Sequence, residues 1–325
     1  MWNCFLRVMR HYVFKKKILY YGLLVFTFVI LLHPDRNARG TYEFITKENI
    51  FHNLLKETAT NFSSTAISDC DYYDVINDES TLPINIVEED LIEGHRIRDG
   101  GEYAPLDCKP KFSTAVIVPY RDRAEQLRGF LVYMHMFLRR QHIHYRIYVV
   151  EQVDSRPFNK AKLINIGAVA AMRAGYPCLV FHNVDLLPFK PANLYACTKL
   201  PRHMSSSINK FRFVLPYLNL FEGAISIASK QFKVVNGMSN EHFGLNGYDD
   251  DLYSRLESHK IKLTRFEPTT SRYYMFSHQK QIKRQNKNIL NHVKETMLID
   301  GLSSLKYTEV AVVLHPLFTH IMVDL

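Results

Sequence analysis

Residues 113–123, STAVIVPYRDR, followed by the amphipathic run Glu125–Arg139, set the fold class. Ser113–Pro119 is short, β-branched and almost wholly apolar, the pattern of a strand buried on both faces, and Glu125–Arg139 repeats its apolar residues at helical spacing. Between them lies a loop, Tyr120-Arg121-Asp122-Arg123. The succession then repeats. Ile143–Val150 reads as a second strand, Asn159–Ala174 as a second helix with Leu163, Ile166 and Val169 in register, and Cys178–His182 as a third strand that runs into Asn183-Val184-Asp185. Strands alternating with crossover helices predict a mostly parallel α/β sheet flanked by helices, whose ligands bind beyond the carboxyl ends of the strands. Arg121–Arg123 and Asn183–Asp185 both fall at such ends. No G-x-G-x-x-G or G-x-x-x-x-G-K-[ST] occurs, which excludes the usual dinucleotide and P-loop sites.

Working outward, Phe213–Arg255 opens as a buried strand, crosses a turn punctuated by Gly237, Gly244 and Gly247, and reaches Asp249-Asp250-Asp251. Leu252, Tyr253 and Leu256 continue with helical spacing, so a helix starts at the triplet, where its dipole favours acidic side chains. A capped, solvated helix start explains such a triplet by itself. The glycine rhythm before it points instead to backbone that approaches a ligand or moves.

With 325 residues, 47% of them hydrophobic, the chain can bury a sizeable core. Its formal charge of +9 does not describe a general basic surface. Arg7, Arg10 and Lys15–Lys17 form one cluster and Lys280–Lys294 another, and no nucleic-acid motif accompanies either, so no nucleic acid is expected as a partner. Residues 18–32, ILYYGLLVFTFVILL, are free of charge and follow the first cluster. Basic residues before an apolar run hold the N-terminus in the cytoplasm, and no small-x-small cleavage site follows. The reading is a cytoplasmic tail (1–17), an uncleaved signal anchor (18–32) attaching the chain to a membrane by one helix, a polar lumenal stem (33–69) with a sequon at Asn61, and a globular domain (70–325). Cys4 lies in the tail. Cys70, Cys108, Cys178 and Cys197 remain for an oxidising compartment, where two disulfides with three connectivities are open to them.

From Tyr103 to Leu325 the chain resembles the β-1,4-galactosyltransferase family, Golgi type II enzymes of the nucleotide-sugar GT-A fold. The matching segments are YAPLDC (103–108), VPYRDR (118–123), FNKAKLINIG (158–167), FHNVDLLP (181–188), PRHMS (201–205), LPYLNLFEG (215–223), NGYDDDLYSRL (246–256) and KETMLIDGLSSLKY (294–307). The resemblance implies inverting, manganese-assisted transfer of galactose or N-acetylgalactosamine from UDP to a terminal N-acetylglucosamine-type acceptor in β-1,4 linkage. It also implies the disulfides Cys70–Cys108 and Cys178–Cys197.

Carried over by position, the uridine loop falls on Pro119, Tyr120, Arg121 and Arg123, with Phe158 and Lys160 beside the nucleotide. The family's D-x-D falls on Asn183-Val184-Asp185, which keeps the metal-binding carboxylate Asp185 and replaces the other with an amide. Met275 and His278 fall on the remaining Mn²⁺ ligands; without the family they read as a core residue and a surface residue. Asp249 and Asp250 fall on the paired acids, the first read as the base that takes the acceptor proton. Four further positions depart from the family's pattern: Glu222, Leu245, Asn246 and Tyr248. They suggest an alternative, a lumenal family member that binds a partner or a glycan without catalysis. Leu220 stands where the family has a tyrosine beside the sugar's 2-substituent, and members preferring N-acetylgalactosamine carry a smaller aliphatic residue there. Read without the family, Leu220 is one more apolar residue in a buried strand.

Overall fold

The computed structural model describes residues 2–32, 42–66, 68–84, 97–241, 248–276 and 296–325, without the side chains of 2–13, 248 and 249. It divides into two units, Met1–Tyr42 with Pro216–Leu218, and Glu43–Leu215 with Asn219–Leu325.

The first unit is a helix, α1 (Trp2–Leu31). From Ile18 to Leu32 its large apolar side chains are exposed. Among the described residues no helix is long and apolar enough to cross a membrane. The charge-free run rises only about 22 Å at the helical pitch, against a hydrocarbon core of about 30 Å. The membrane span expected over residues 18–32 is therefore not shown.

In the second unit, β1 (Glu102–Tyr103), β2 (Ser113–Tyr120), β3 (His144–Gln152), β4 (Cys178–His182), β6 (Arg202–His203), β8 (Ala224–Ala228), β10 (Thr308–Leu314) and β11 (Thr319–Asp324) build one sheet. Its order is β10-β11-β3-β2-β4-β8-β6, with β1 on β3. Three pairings, β11 with β3, β3 with β2 and β2 with β4, are parallel. The pairings of β1 with β3, β10 with β11, β4 with β8 and β6 with β8 are antiparallel. The sheet is thus mixed, which corrects the mostly parallel expectation: strands that no crossover helix joins can pair in either direction, and periodicity carries no strand direction. A second sheet has the order β5 (Leu186–Pro188), β9 (Arg272–Met275), β7 (Ser207–Ile208).

Alternation along β2 divides the core. Val116 and Val118 join the residues of α4 (Ala124–Arg139), whereas Ala115 and Ile117 join those of α5 (Lys160–Arg173). Gly167 lets α5 lie close on the sheet, because a Cβ there would sit 2.5 Å from Ile117 Cγ2. Asn159 caps α5, its side chain accepting from Lys162 N at 3.0 Å.

Two other expectations shift. The buried strand placed at the start of 213–255 lies at Ala224–Ala228, while 213–223 is turns and irregular chain. Leu220 is buried but belongs to no strand. Residues 43–66, expected as stem, pack into the second unit: Ile50 and Leu54 are buried beside the short helices α2 (Ile50–Asn53) and α3 (Tyr73–Asn77), and Leu55 N donates to Cys197 O at 2.9 Å. Isolated apolar anchors held by single backbone bonds leave no periodic signature. Asn61 is exposed in a turn of this segment. Cys70 is bonded to Cys108 and Cys178 to Cys197, and the latter bridge ties the start of β4 to the segment before β6.

Candidate functional site

Pro119 and Tyr120 end β2, and burial pushes the Tyr120 phenol up from its ordinary value. Its hydroxyl accepts from Arg123 N at 3.2 Å, which folds the loop back over the strand end. Asp122 takes φ 51° in that turn. Arg121 then reaches the loop after β3: Nη1 donates to Arg156 O at 2.7 Å, and the guanidinium lies 5.2 Å from the Phe158 ring centroid. Arg123 points the other way and meets Asp185 at 3.7 Å. The carboxyl ends of β2, β3 and β4 are thereby linked by two arginines from one loop.

At the end of β4, Asn183 N donates to Gly223 O at 3.0 Å, and the Asn183 side-chain oxygen accepts from Lys160 Nζ at the start of α5. An amide accepts that bond without contributing charge. Val184 and Asp185 are buried, and Phe276 N donates to Asp185 O at 2.9 Å. The antiparallel register of β5 on β9 sets Leu186 opposite Met275, so one expected metal ligand, Asp185, lies in the turn just before β5 and another, Met275, ends the neighbouring strand β9. Asn209 Oδ1 accepts from Met275 N at 2.8 Å, a support that no sequence pattern announced. A carboxylate, an imidazole and phosphate oxygens are donors that suit a manganese ion, whereas a thioether is a softer one. His278 lies outside the described residues, as do Leu245 and Asn246. Among the described residues no three His, Cys, Asp or Glu side chains cluster around one point.

After the short α6 (Ser229–Val234), Tyr248–Ser258 forms α7, so the helix does begin at the acidic triplet. The three acids differ. Asp251 is buried, bonded through both oxygens to Arg255 Nε at 3.0 Å, and accepts from Ser239 N at 2.8 Å. It is a structural anchor. Asp250 is half-buried, and the side chain of Asp249 lies outside the description. Asn165, Asn240 and Asp300 secure the approach to this helix: Asn165 Nδ2 donates to Met238 O at 2.7 Å, and Asp300 accepts from both Ser239 Oγ and Asn240 N. These residues were missed in the sequence because their partners lie 60 or more positions away.

The family described as the N-terminal region of glycosyl transferase group 7 matches residues 74–198, and the one described as the N-terminal domain of galactosyltransferase matches 202–279. The chain is 38% identical to β-1,4-galactosyltransferase 2 of Mus musculus over 77% of its own length and 69% of the relative's. It is also 38% identical to β-1,4-galactosyltransferase 1 of Homo sapiens, over 76% of its length and 63% of that protein's. A crystal structure of a mutant Drosophila β-1,4-galactosyltransferase 7 with manganese, UDP-Gal and xylobiose matches with a TM-score of 0.56 at 29% identity, covering 66% of this chain and 94% of that one. The mixed sheet, with its charged loops at the strand ends, is that of a GT-A-like nucleotide-sugar transferase. Within that class the chain belongs to the β-1,4-galactosyltransferase family.

Proposed function

We propose that the protein is an inverting UDP-sugar glycosyltransferase that moves N-acetylgalactosamine in preference to galactose onto a terminal N-acetylglucosamine-type acceptor in β-1,4 linkage. One observation carries the placement of the donor: Arg123–Asp185 and Lys160–Asn183 converge at the carboxyl ends of β2 and β4 with Met275 on the adjoining strand pair. Arg121, Arg123 and Lys160 supply positive charge for a diphosphate, and Phe158 with Pro119 and Tyr120 supplies apolar surface for a uracil. Asp185, Met275 and His278 would hold manganese. When bound, the ion neutralises the charge that develops on the departing UDP. Asp249 serves as the base that takes the acceptor hydroxyl proton, and Asp250 orients the acceptor beside it.

The preference for N-acetylgalactosamine rests on Leu220, which is buried and lacks a phenol's ring and hydroxyl. The space gained admits an acetamido group, and changes of this size in a pocket shift discrimination by about 1–3 kcal/mol. Golgi localisation belongs to the same proposal and is supported by the chain's membership of the β-1,4-galactosyltransferase family. Competition between UDP-N-acetylgalactosamine and UDP-galactose on an N-acetylglucosaminide tests the reading. A preference for the first that Leu220→Tyr reverses is expected, and a preference for galactose in the unmutated chain would overturn it. Binding of UDP-sugar without turnover would favour the non-catalytic alternative instead, to which the amide at Asn183 already lends some weight.

A further inference from the structure

The PRHMS segment, residues 201–205, reaches none of the groups assigned above to nucleotide, metal or acceptor, yet it is buried in full. Strand β6 explains why. It pairs with β8 through Arg202 opposite Ser226 and His203 opposite Ile225, and on its other side bridges to Thr264, with His203 N donating to Thr264 O at 2.9 Å. The neighbour of Thr264, Arg265, is thereby set against His203, and its Nε lies 3.3 Å from His203 Nδ1.

The chemistry fixes the direction of every bond. A guanidinium has donors only, so Nδ1 accepts and the imidazole carries its proton on Nε2. That N–H donates to Glu222 O at 2.9 Å. Burial, with the Arg265 charge adding to it, pushes the His203 imidazole down to about 3, so this tautomer persists at any working pH. Ser205 Oγ donates to the same Glu222 carbonyl at 2.9 Å and accepts from Ala224 N at 2.8 Å. Arg265 Nη2 donates to Leu220 O at 3.1 Å. Phe221, fully buried, meets the His203 ring edge to face at 6.0 Å. Gly223 closes the segment at φ 90°, where a Cβ would lie 2.6 Å from Ser205 Oγ.

We infer that His203, Ser205 and Arg265 are positioning residues for donor choice: they fix the backbone of Leu220–Gly223, and so hold Leu220 at a set depth beside the sugar. The inference rests on the proposed reading of Leu220. Three donors, His203 at the end of β6, Ser205 just after it and Arg265 on a distant loop, meet two alternate carbonyls, Leu220 O and Glu222 O, of a segment that has no regular structure of its own. A shift of Leu220–Glu222 moves the side chain that discriminates between the two sugars, while Gly223, whose carbonyl accepts from Asn183 N at 3.0 Å, stays with the nucleotide loop at β4.

The test measures, on the full chain with manganese, the affinities for UDP, UDP-galactose and UDP-N-acetylgalactosamine. His203→Phe keeps the ring against Phe221 and loses both polar bonds. The expected result is an about tenfold fall in the preference between the two UDP-sugars with the affinity for UDP itself unchanged, the scale of a misplaced pocket contact. His203→Gln, whose amide can accept from Arg265 and donate to Glu222 O, restores the preference. Should His203→Phe fail to fold, Ser205→Ala removes one donor to the same carbonyl and is expected to lower the preference in the same direction. An unchanged preference in the folded variants, or equal losses for UDP and both sugars, would overturn the inference. Leu220→Tyr is measured in parallel. If it alone alters the preference, the positioning role falls and the reading of Leu220 stands; if it too has no effect, the reading falls and the inference with it.

Discussion

The two halves of the candidate site, the one proposed for the nucleotide and the one proposed for the sugar, are built in different ways. The nucleotide half, Arg121–Arg123, Lys160 and Asn183–Asp185, sits on loops that leave three parallel strands, and the loops are braced by their own side chains. The sugar half, Leu220–Gly223 and the start of α7, sits on irregular chain and a helix N-terminus held from afar by His203, Arg265, Asn165, Asp300 and Arg255. A loop at a parallel strand end needs only local alternation of strand and helix to be placed. A segment without regular structure is placed only when every partner has already been brought into position.

The largest effect that would separate the halves is expected at Asp251. Asp251→Asn weakens the ion pair with the fully buried Arg255 and leaves that cation poorly compensated, which costs about 3–5 kcal/mol. Denaturant unfolding should show the loss, and a change under 1 kcal/mol would mean that the acidic triplet is not anchored as described. Next comes Asp185→Asn, in the nucleotide half. It should lower manganese-dependent binding of UDP by at least the roughly 10–100-fold that losing a mere hydrogen-bond partner of a metal ligand costs, with little effect on unfolding. Equal UDP affinity with manganese and with chelator in the unmutated chain would refute the metal assignment.

A smaller effect is expected at Gly223→Ala. The backbone there is left-handed and the added methyl meets Ser205 Oγ and Leu186 Cδ1 at 2.6 and 2.7 Å, so the strain is about 1–3 kcal/mol. Because Gly223 O also accepts from Asn183 N, this variant should disturb both halves together, and an effect confined to the sugar would sharpen the contrast further.

The smallest effect lies away from both halves and is read in acid. Hydrogen bonding to His144, helped by Arg146 and opposed by burial, pulls the Glu102 carboxyl from 4.5 down to about 2. A carboxyl depressed on folding stabilises the folded state above its ordinary value, and that stability is lost as pH falls from 4.5 towards about 2. Glu102→Gln should flatten the pH dependence of stability across that window and leave the UDP affinity near neutrality unchanged. An unaltered acid profile would show that the contact between β1 and β3 is not what acid breaks.

By itself the sequence determined the strand–helix–strand–helix–strand run from Ser113 to His182, the loops at its ends and the helix at the acidic triplet. Each of these is a short apolar β-branched run bounded by turn residues, a 3.6-residue period, or a cap, written within about a dozen positions. Family motifs added the disulfide pairs and the positions of Asp185 and Met275. Only the tertiary structure decided that β8 runs antiparallel to both β4 and β6, that residues 43–66 pack into the second unit through Ile50, Leu54 and Ala59, and that Asp251 is a buried anchor unlike its half-buried neighbour Asp250. It alone brought His203 and Arg265, 62 residues apart, to one segment of chain. Strand direction, and a hydrogen bond between distant side chains, leave no period in a sequence. They are fixed when the core closes and each buried polar group must find its partner.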